Sequence, residues 1–387
     1  MITPTTVMVV LGTRPEAVKL APVIRALRVT SDLRPVVVVT GQHRDILDEV
    51  LDLFAIVPDH DLALLRKRQT LTHVTTATLT GLERLIRLEL PAAVIVQGDT
   101  TTTFAASLAA FYAQVPVVHV EAGLRSGDRW SPYPEEINRQ LTTRLTSLHL
   151  APTSTARRCL LDEGVDPLSV VVTGNTVIDA LQWVVGQLDA GTHGMGHIDD
   201  RRLVLVTAHR RESWDGGLAE IAYALREVVA DRTDVRVLFP IHPNPVVREA
   251  MTPVLGSLQN VEVVEPLGYR EFVAAMAASY VIVSDSGGVQ EEAPSLGVPV
   301  LVTRENTERP EAVEAGTARI VGNQRAEIVK QLGLLLDDPT EHSRMRRAIN
   351  PYGDGLAAAR TVEALRHLVW SAPRPADFVA TAEAGQD

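Results

Sequence analysis

Val115-Pro-Val-Val-His-Val120 is a short apolar run that passes directly into the polar loop Glu121-Ala-Gly-Leu-Arg125. Continuous apolar runs of this length are typical of strands that are buried on both faces of a parallel sheet. The loop therefore begins where a buried strand ends, which is where open α/β sheets bind their ligands. Carboxylates there are candidates for proton transfer, and a solvated loop with ordinary ion pairs is the plain alternative. The acidic residues that follow the strand are Glu121, Asp128, Glu135 and Glu136.

Similar Val-rich runs recur along the chain, at intervals that leave room for a helix between them. This spacing predicts parallel sheets with crossover helices, and 387 residues exceed what one hydrophobic core usually supports. We therefore predict an α/β protein with two Rossmann-like, doubly wound domains that face each other across a cleft. The predicted strands are residues 7–11, 36–40, 93–97, 115–120, 149–151 and 170–173 in the first half, and 203–207, 235–240, 261–265, 280–284, 298–303 and 318–321 in the second.

The predicted domain boundary lies between residues 175 and 176, and the second domain extends to residue 354. A Gly-rich stretch at 191–197 has the composition of a linker. Residues 371–387 are rich in Pro and Ala and show no periodicity, so they are predicted to form a disordered tail.

Composition excludes several classes of protein. The formal net charge of −11 argues against a binder of nucleic acid or of anionic membranes, since both need a basic face. No run of about 18 apolar residues is present to span a bilayer. The single cysteine, Cys159, excludes an internal disulfide and fits a reducing compartment. The N-terminus leads into a strand without the features of a signal peptide, so we expect a cytoplasmic protein.

Polar clusters follow nearly every predicted strand. Because the carboxyl ends of parallel strands share one edge of a sheet, we expect the clusters of each domain to lie together. If the two edges face each other, the clusters line one cleft. The clusters are residues 12–16, 41–44, 98–100 and 121–125 in the first domain, and 208–212, 242–244, 285–288 and 304–311 in the second.

The first cluster, Gly12-Thr-Arg-Pro-Glu-Ala-Val-Lys19, predicts a glycine turn and a helix that opens at Pro15, a favoured first helical residue. Free amides at a helix start attract phosphate, and Arg14 and Lys19 add positive charge. A tight turn with surface ions is the alternative. Neither a Walker sequence nor Gly-x-Gly-x-x-Gly occurs here, so no nicotinamide cofactor is expected.

Asp285-Ser-Gly-Gly288 is the stronger phosphate signal, because small residues whose amides can approach an anion follow a buried strand. Glu292, about one turn further, can accept both hydroxyls of a ribose. Arg309 follows the next strand and complements the same anion. Paired glycines also let a helix lie close to a sheet, which is the structural alternative.

His209 ends the first strand of the second domain, next to Arg210 and Arg211. A lone histidine is more often a hydrogen-bonded structural residue than a catalyst, but the two arginines favour an anion beside it. A histidine near a departing pyrophosphate can donate a proton or a charged hydrogen bond. The histidines and the cysteine match no metal-binding motif, so no metal is expected.

Nine motifs extend in order over about residues 7–367: Gly12-Thr-Arg-Pro-Glu-Ala-x-Lys19, Gly98-Asp-Thr100, His119-Val-Glu-Ala-Gly-Leu-Arg125, Pro132-x-Pro-Glu-Glu136, Thr173-Gly-Asn-Thr-Val-Ile-Asp179, His209-Arg-Arg-Glu-Ser213, Asp285-Ser-Gly-Gly-x-Gln-Glu-Glu-Ala-Pro294, Glu308-Arg-Pro-Glu311 and Asn350-Pro-Tyr-Gly-Asp-Gly355. With this spacing the chain resembles the non-hydrolysing UDP-N-acetylglucosamine 2-epimerases. The resemblance implies the two-domain GT-B fold, with a final helix at about 355–370 that joins the first domain. It also implies interconversion of UDP-N-acetylglucosamine and UDP-N-acetylmannosamine without a cofactor or a metal.

The resemblance assigns roles to individual residues. The catalytic residues that it implies are Asp99, Glu121, Glu135 and His209. The implied contacts to UDP are Arg14, Lys19, Phe272, Ser286, Gly287, Gly288, Glu292 and Arg309. It further implies a homodimer and a second site at which UDP-N-acetylglucosamine acts as an allosteric activator. The neighbourhood of that site is matched by Gln42, Arg44, Arg68, Gln69, Arg210 and His242, whereas Asp45 replaces a glutamine beside it.

The reaction explains why carboxylates are needed. The hydrogen on carbon 2 of the sugar is next to an amide nitrogen and not to a carbonyl, so it becomes acidic only as the anomeric bond to UDP loosens. We therefore expect elimination of UDP to 2-acetamidoglucal, followed by re-addition. The sequence leaves open which carboxylate serves each face of the sugar. It also leaves open a glycosyltransferase, a hydrolysing epimerase, an enzyme of oxidised or diacetamido sugar nucleotides, and a non-catalytic sensor.

Overall fold

The computed structural model describes residues 3–41, 44–64, 69–188, 200–307 and 309–380. The chain divides into two compact units, one built from the residues up to Ala180 and from Tyr352–Val379, and one built from Leu181–Pro351. The division falls inside the helix Thr176–Val185, a few residues beyond the predicted boundary. The Gly-rich stretch 191–197 lies outside the described residues.

A parallel sheet forms the centre of the first unit. Its strands are β1 (Thr5–Leu11), β2 (Leu33–Val39), β3 (His60–Asp61), β4 (Ala93–Gln97), β5 (Val117–Val120), β6 (Leu148–Ala151) and β7 (Val170–Val172). They lie in the order β3-β2-β1-β4-β5-β6-β7, and every neighbouring pair is parallel. β1, β4 and β5 are therefore adjacent, so the turns that follow them share one edge of the sheet.

The helices of this unit are α1 (Arg14–Arg28), α2 (Arg44–Leu53), α3 (Leu71–Glu89), α4 (Thr101–Tyr112), α5 (Glu135–Leu145), α6 (Ser154–Asp162) and α7 (Thr176–Val185), the last of which runs into the second unit. Valines on the strands pack against α3 and α4 to form a buried core, in which Val38, Val94 and Val96 are fully buried. This burial on both faces explains why the strands are continuous apolar runs.

The second unit repeats the arrangement with six strands: β8 (Arg202–Thr207), β9 (Val235–Pro240), β10 (Val261–Val264), β11 (Val281–Ser284), β12 (Val300–Val302) and β13 (Ala318–Ile320). Their order is β10-β9-β8-β11-β12-β13, again all parallel. The helices are α8 (Gly217–Val229), α9 (Pro245–Leu255), α10 (Tyr269–Ala277), α11 (Gly287–Glu292), α12 (Pro310–Glu314), α13 (Arg325–Asp337) and α14 (Pro339–Arg346).

The chain returns to the first unit with α15 (Ala357–Trp370), which packs against α1. Arg366 on α15 forms two hydrogen bonds of 2.8 and 2.9 Å with the carboxylate of Asp32. Asp179 accepts hydrogen bonds from the backbone N–H groups of Ala357 and Ala358, at 3.2 and 2.8 Å, and so caps the start of this helix from a distance in sequence.

The predicted α/β fold with two parallel sheets is confirmed, and all twelve predicted strands are present. β3 was not predicted, because its two polar residues carry no strand signal. β3 forms through its register with β2, where Val38 lies opposite His60 and Val39 opposite Asp61.

The prediction of a disordered tail does not hold for residues 371–380. Phe378 is buried and its backbone N–H donates to the carbonyl of Val172 at 2.7 Å, while Asp377 accepts from the N–H of Val172 at 2.8 Å. Arg374 donates to the carbonyl of Val170 at 2.7 Å. The segment thus satisfies backbone groups on the edge strand β7 without being a strand itself. Residues 381–387 lie outside the described part of the chain.

In the described ranges of the chain, no helix combines the length and the apolar character needed to cross a membrane.

Candidate active site

The turn between β1 and α1 is built around two residues, Gly12 and Glu16. A Cβ at Gly12 would lie 2.4 Å from the Thr40 hydroxyl and 2.7 Å from the Thr102 hydroxyl, so only glycine fits. Thr13 and Glu16 form a capping box at the start of α1, as their spacing indicates. Arg14 is the first residue of the helix and is partly exposed beside this turn.

Glu121 follows β5 and is held by three polar neighbours. Its backbone is in the left-handed region, with φ of 62°, and its side chain is nearly buried. The Lys19 ammonium donates to Oε1 at 2.5 Å, the Asn175 amide donates to the same oxygen at 3.4 Å, and the Gln97 amide donates to Oε2. Lys19, predicted as a contact to UDP, thus lies directly against a predicted catalytic carboxylate.

His119 supports the next turn of the same sheet edge. Its Nε2–H donates to the carbonyl of Gly98 at 2.7 Å, and the ring is fully buried. Burial lowers the pKa of His119 to about 3, so the ring is neutral. Gly98 has φ of 72°, a conformation that suits glycine, and the chain then turns into Asp99. His119 is therefore a structural support for the Asp99 turn.

Asp99 and Glu135 share one arginine. Arg139, one turn after Glu135 on α5, forms an ion pair with the carboxylate of Asp99. Burial, followed by the charge of Asp99, raises the pKa of Glu135, although Arg139 opposes this. Among the described residues, Glu135 Oε2 is buried without a hydrogen-bond partner. A carboxyl group in this environment is suited to hold a proton.

In the second unit His209 and Asp285 form a pair at the ends of β8 and β11. The ring Nδ1 of His209 lies 2.9 Å from Oδ1 of Asp285, whose Oδ2 accepts from the backbone N–H groups of His209 and Arg210 at 2.6 and 2.8 Å. Burial alone would raise the pKa of Asp285, but the hydrogen bond and charge of His209 bring it below its usual value. His242 stacks on His209, with ring centroids 5.7 Å apart.

Two guanidinium groups lie near one glycine of the predicted phosphate loop. Ser286 is the N-cap residue of α11, and its N–H donates to the Ser284 hydroxyl at 2.9 Å. A Cβ at Gly287 would lie 3.9 Å from Nη2 of both Arg210 and Arg309. A turn of small residues with two arginine side chains close to it in space has the features expected of an anion site.

Glu292 and Arg309 are each fixed by a neighbour. Tyr269 donates its hydroxyl hydrogen to Oε2 of Glu292 at 3.0 Å, and Glu292 Oε1 lies against Gly288. Arg309 is nearly buried and paired with the buried carboxylate of Glu291. Phe272 is on α10, one turn after Tyr269, and is partly exposed.

The residues implied for the activator site are described only in part. Gln42 and Arg68 lie outside the described residues, as do the side chains of Arg44 and Asp45. In the first unit Gln69 precedes α3, and its Oε1 is buried without a hydrogen-bond partner in the described part of the chain. In the second unit Arg210 and His242 lie beside His209.

The structure thus places Asp99 and Glu121 after β4 and β5, Arg14 and Lys19 on α1 after β1, and Glu135 at the start of α5. In the second unit His209 follows β8, and the turn at residues 286–288 follows β11 with Arg309 beside it. Phe272 lies on α10, apart from these strand ends. Sequence reasoning missed several supporting residues: Glu16, Gln97, His119, Arg139, Asn175 and Asp285. The capping-box spacing could have identified Glu16, and Asp285 stands at the end of a predicted strand. Arg139 and Asn175 carried no signal, because their partners Asp99 and Glu121 lie 40 and 54 residues away in the sequence. No group of three or more metal-ligating side chains is found in the described ranges.

Comparisons with known proteins agree with the geometry of both units. The family model for UDP-N-acetylglucosamine 2-epimerase matches residues 25–366. The UDP-N-acetylglucosamine 2-epimerase of Escherichia coli K12 is 48% identical over 369 residues, which covers 93% of this chain and 98% of that protein. Two solved structures are similar over nearly their whole length. The UDP-GlcNAc 2-epimerase of Neisseria meningitidis bound to UDP-GlcNAc has a TM-score of 0.87 and 44% identity, over 93% of this chain and 99% of that one. The MnaA protein of S. aureus, solved with UDP, has a TM-score of 0.88 and 46% identity, over 97% and 100%. The chain therefore belongs to the UDP-N-acetylglucosamine 2-epimerase family, and it is an enzyme of the isomerase class with the two-domain α/β fold of the GT-B type.

Proposed function

We propose that this enzyme reversibly converts UDP-N-acetylglucosamine into UDP-N-acetylmannosamine, by elimination of UDP and its re-addition. The C1–O bond breaks with its electron pair leaving on UDP, and the C2–H proton passes to a carboxylate. A C1=C2 double bond forms, which gives 2-acetamidoglucal. A proton then returns to the opposite face of carbon 2 as UDP re-adds at carbon 1. The reaction balances without a redox partner.

The observation that carries this proposal is the set of three carboxylates in the first unit, each in a different charge environment. Asp99 and Glu121 follow the adjacent strands β4 and β5, and Glu135 starts α5. Glu121 is paired with Lys19, and Asp99 with Arg139. Glu135 has a raised pKa because of burial and of the charge of Asp99. Epimerisation needs one group that takes a proton and another that gives one, and environments that separate the pKa values of neighbouring carboxylates supply such pairs. We assign Glu121 and Glu135 as proton carriers in this exchange.

The family resemblance assigns the nucleotide to residues of both units. Ser286, Gly287, Gly288 and Arg309 would hold the phosphates, while Glu292 would accept the ribose hydroxyls and Phe272 would contact the base. Arg14 and Lys19 would add charge from the first unit. His209, fixed by Asp285, would donate a hydrogen bond to the departing diphosphate. Fixed donors of this kind stabilise a leaving group strongly, because they need no reorganisation. This account needs no cofactor and no metal.

A proton NMR time course tests the proposal. Purified enzyme in deuterated water is expected to convert UDP-N-acetylglucosamine into a mixture with UDP-N-acetylmannosamine, and a chelator should not change the rate. Accumulation of free N-acetylmannosamine with UDP would indicate a hydrolysing epimerase. A sugar nucleotide that stayed unchanged until an acceptor was added would indicate a glycosyltransferase.

We further propose that the enzyme is a cytoplasmic homodimer and that UDP-N-acetylglucosamine activates it at a second site. Gln69, Arg210 and His242 are the described residues assigned to that site. In the described part of the chain, the buried Oε1 of Gln69 has no hydrogen-bond partner, which supports a ligand there, since buried polar atoms normally have one. The free thiol of Cys159 fits a reducing compartment.

A further inference from the structure

Glu16 is a buried carboxylate whose two oxygens bind two different turns. Oε2 accepts from the backbone N–H of Gly12 at 2.9 Å, from the N–H of Thr13 at 2.7 Å and from the Thr13 hydroxyl at 2.9 Å. Oε1 accepts from the Thr100 hydroxyl at 2.7 Å and lies 3.0 Å from the Thr103 hydroxyl. Only 1% of the residue is exposed.

The two threonines have equivalent positions. Thr13 is the N-cap residue of α1 and Thr100 is the N-cap residue of α4, where its Oγ1 also accepts from the N–H of Thr103 at 3.1 Å. Arg14 directly follows the first cap, and Asp99 directly precedes the second. The Glu16 carboxylate therefore connects two turns by hydrogen bonds. One turn carries Arg14, a proposed phosphate ligand, and the other carries Asp99, a proposed catalytic residue.

A contribution to the stability of the fold does not by itself explain why a carboxylate is found at this position. Burial raises the pKa of Glu16, and the hydrogen bonds from Thr100, Gly12, Thr13 and Thr103 only oppose that effect. Burying an ionisable group costs free energy that its partners must offset. Each of the two turns could be capped by its own threonine without it. The feature that a carboxylate adds is the link between the turns, because each of its oxygens can accept from a different one.

We propose that Glu16 is a positioning residue for the reaction, which acts through the Thr100 hydroxyl to fix Asp99 relative to Arg14. Misplacing a catalytic group by about 1 Å can cost on the order of 10²-fold in rate. The inference rests on the proposed function, since it concerns the placement of Asp99 in that reaction.

The test removes the link on one side at a time. Thr100→Val keeps the shape but deletes the hydroxyl, Thr100→Ser restores it, and Glu16→Gln alters the other end of the link. Thr100→Val also removes a helix cap, worth about 0.5–2 kcal/mol. Asp338→Ala is the matched control, because Asp338 caps α14 in the second unit through the N–H groups of Thr340 and Glu341. All rates are expressed per UDP-binding site, so that unfolded protein does not count.

Thr100→Val is expected to lower kcat by about 10- to 100-fold while KM changes by less than about 3-fold. Thr100→Ser should restore kcat to within about 3-fold of the unsubstituted enzyme, as rescue by the conservative variant requires. The double variant Glu16→Gln/Thr100→Val should be no slower than the slower single variant, because both changes break the same link.

The inference is overturned if Thr100→Val and Glu16→Gln keep the kcat of the Asp338→Ala control, or if their effects multiply in the double variant. A lower melting temperature of these variants with a normal kcat per site would likewise show that Glu16 has only a structural role. An unsubstituted enzyme that is inactive on UDP-N-acetylglucosamine would overturn the proposed function, and that result is distinct from an active enzyme with unaffected variants.

Discussion

At the scale of single residues, the site depends on partners that are distant in sequence. The Lys19 and Glu121 side chains lie 2.5 Å apart although 102 residues separate them. The sequence predicted that Glu121 follows one strand and that Lys19 lies early in the helix after another, because an apolar run, a polar cluster and a helix start are local patterns. Their contact depends on the strand order β1-β4-β5, which no local pattern reveals. The positions of the candidate residues were therefore predictable, and their pairing was not.

Arg14 and Arg309 are expected to contribute directly to UDP affinity. Arg14→Ala or Arg309→Ala removes a charge-assisted contact worth about 1.5–3 kcal/mol, which corresponds to about 10- to 160-fold in the dissociation constant. Arg232→Ala is the control, since Arg232 forms an equivalent pair with Asp337, at 2.7 Å, outside the proposed site. Calorimetry that shows unchanged UDP affinity in both site variants would mean that the nucleotide has been assigned wrongly.

Asp285 is expected to matter through His209. Asp285→Asn keeps the size of the side chain and an acceptor for the two backbone N–H groups, but it removes the charge that faces the ring. We expect kcat to fall by about 10-fold or more, because the neighbour of a histidine sets the orientation and protonation of its ring. Steady-state kinetics at saturating substrate would measure this. A kcat equal to that of the unsubstituted enzyme would contradict the role given to the pair.

At the scale of elements, local patterns predicted the strands and helix starts but not the contacts that the chain makes after it folds. Val-rich runs identified every strand in the described residues except β3, because buried parallel strands must be apolar. The Pro- and Ala-rich composition of 371–380 suggested disorder. That segment is held on the edge strand β7 by the side chains of Arg374 and Asp377 and by the backbone N–H of Phe378, whose side chain is buried. Such contacts depend on which strand forms the edge, and composition does not contain that information.

The raised pKa of Asp179 predicts that the stability of the α7–α15 contact varies with pH. Burial raises the pKa of Asp179 to about 6 from its ordinary value of 3.8, despite the N–H groups of Ala358 and Ala357. The folded state thus binds this proton more tightly than the unfolded state does. The stabilisation that protonated Asp179 contributes is complete below about pH 3.8 and is lost as the pH rises through about 6. The free energy of unfolding changes by about 3 kcal/mol over this range.

Asp179→Asn cannot titrate, so the difference in unfolding free energy between the two proteins isolates this effect. Denaturant unfolding between pH 4 and pH 7 should show the unsubstituted enzyme losing stability relative to the variant, with no further change at higher pH. A difference that is constant with pH, or that grows in favour of the unsubstituted enzyme, would contradict the raised pKa.

At the scale of the whole molecule, the two units repeat one plan, in which polar clusters follow parallel strands. The first unit carries the three carboxylates, and the second carries the glycine loop and the His209–Asp285 pair. A glycosyltransferase needs the nucleotide loop but gains little from three carboxylates. Membership of the UDP-N-acetylglucosamine 2-epimerase family agrees with the presence of both the nucleotide loop and the three carboxylates.

The proposed activator site predicts a specific kinetic behaviour. The rate should depend sigmoidally on UDP-N-acetylglucosamine, and the reverse reaction from pure UDP-N-acetylmannosamine should be slow until a little of the other epimer is added. Gln69→Ala and His242→Ala should make the forward dependence hyperbolic, because they remove candidate activator contacts. Hyperbolic kinetics of the unsubstituted enzyme in both directions would show that activation is absent from this enzyme.

In the proposed reaction, UDP leaves before or while the carbon 2 proton is exchanged. This order of events is tested most directly with UDP-N-acetylglucosamine that carries oxygen-18 in the anomeric bridge, turned over in deuterated water. The account predicts that deuterium enters carbon 2 and that oxygen-18 spreads to the non-bridging positions of the β-phosphate. Glu121→Gln should slow both events together by about 10²- to 10⁴-fold, as loss of a proton carrier would. Epimerisation that leaves carbon 2 free of deuterium, or that keeps all the oxygen-18 in the bridge, would contradict it.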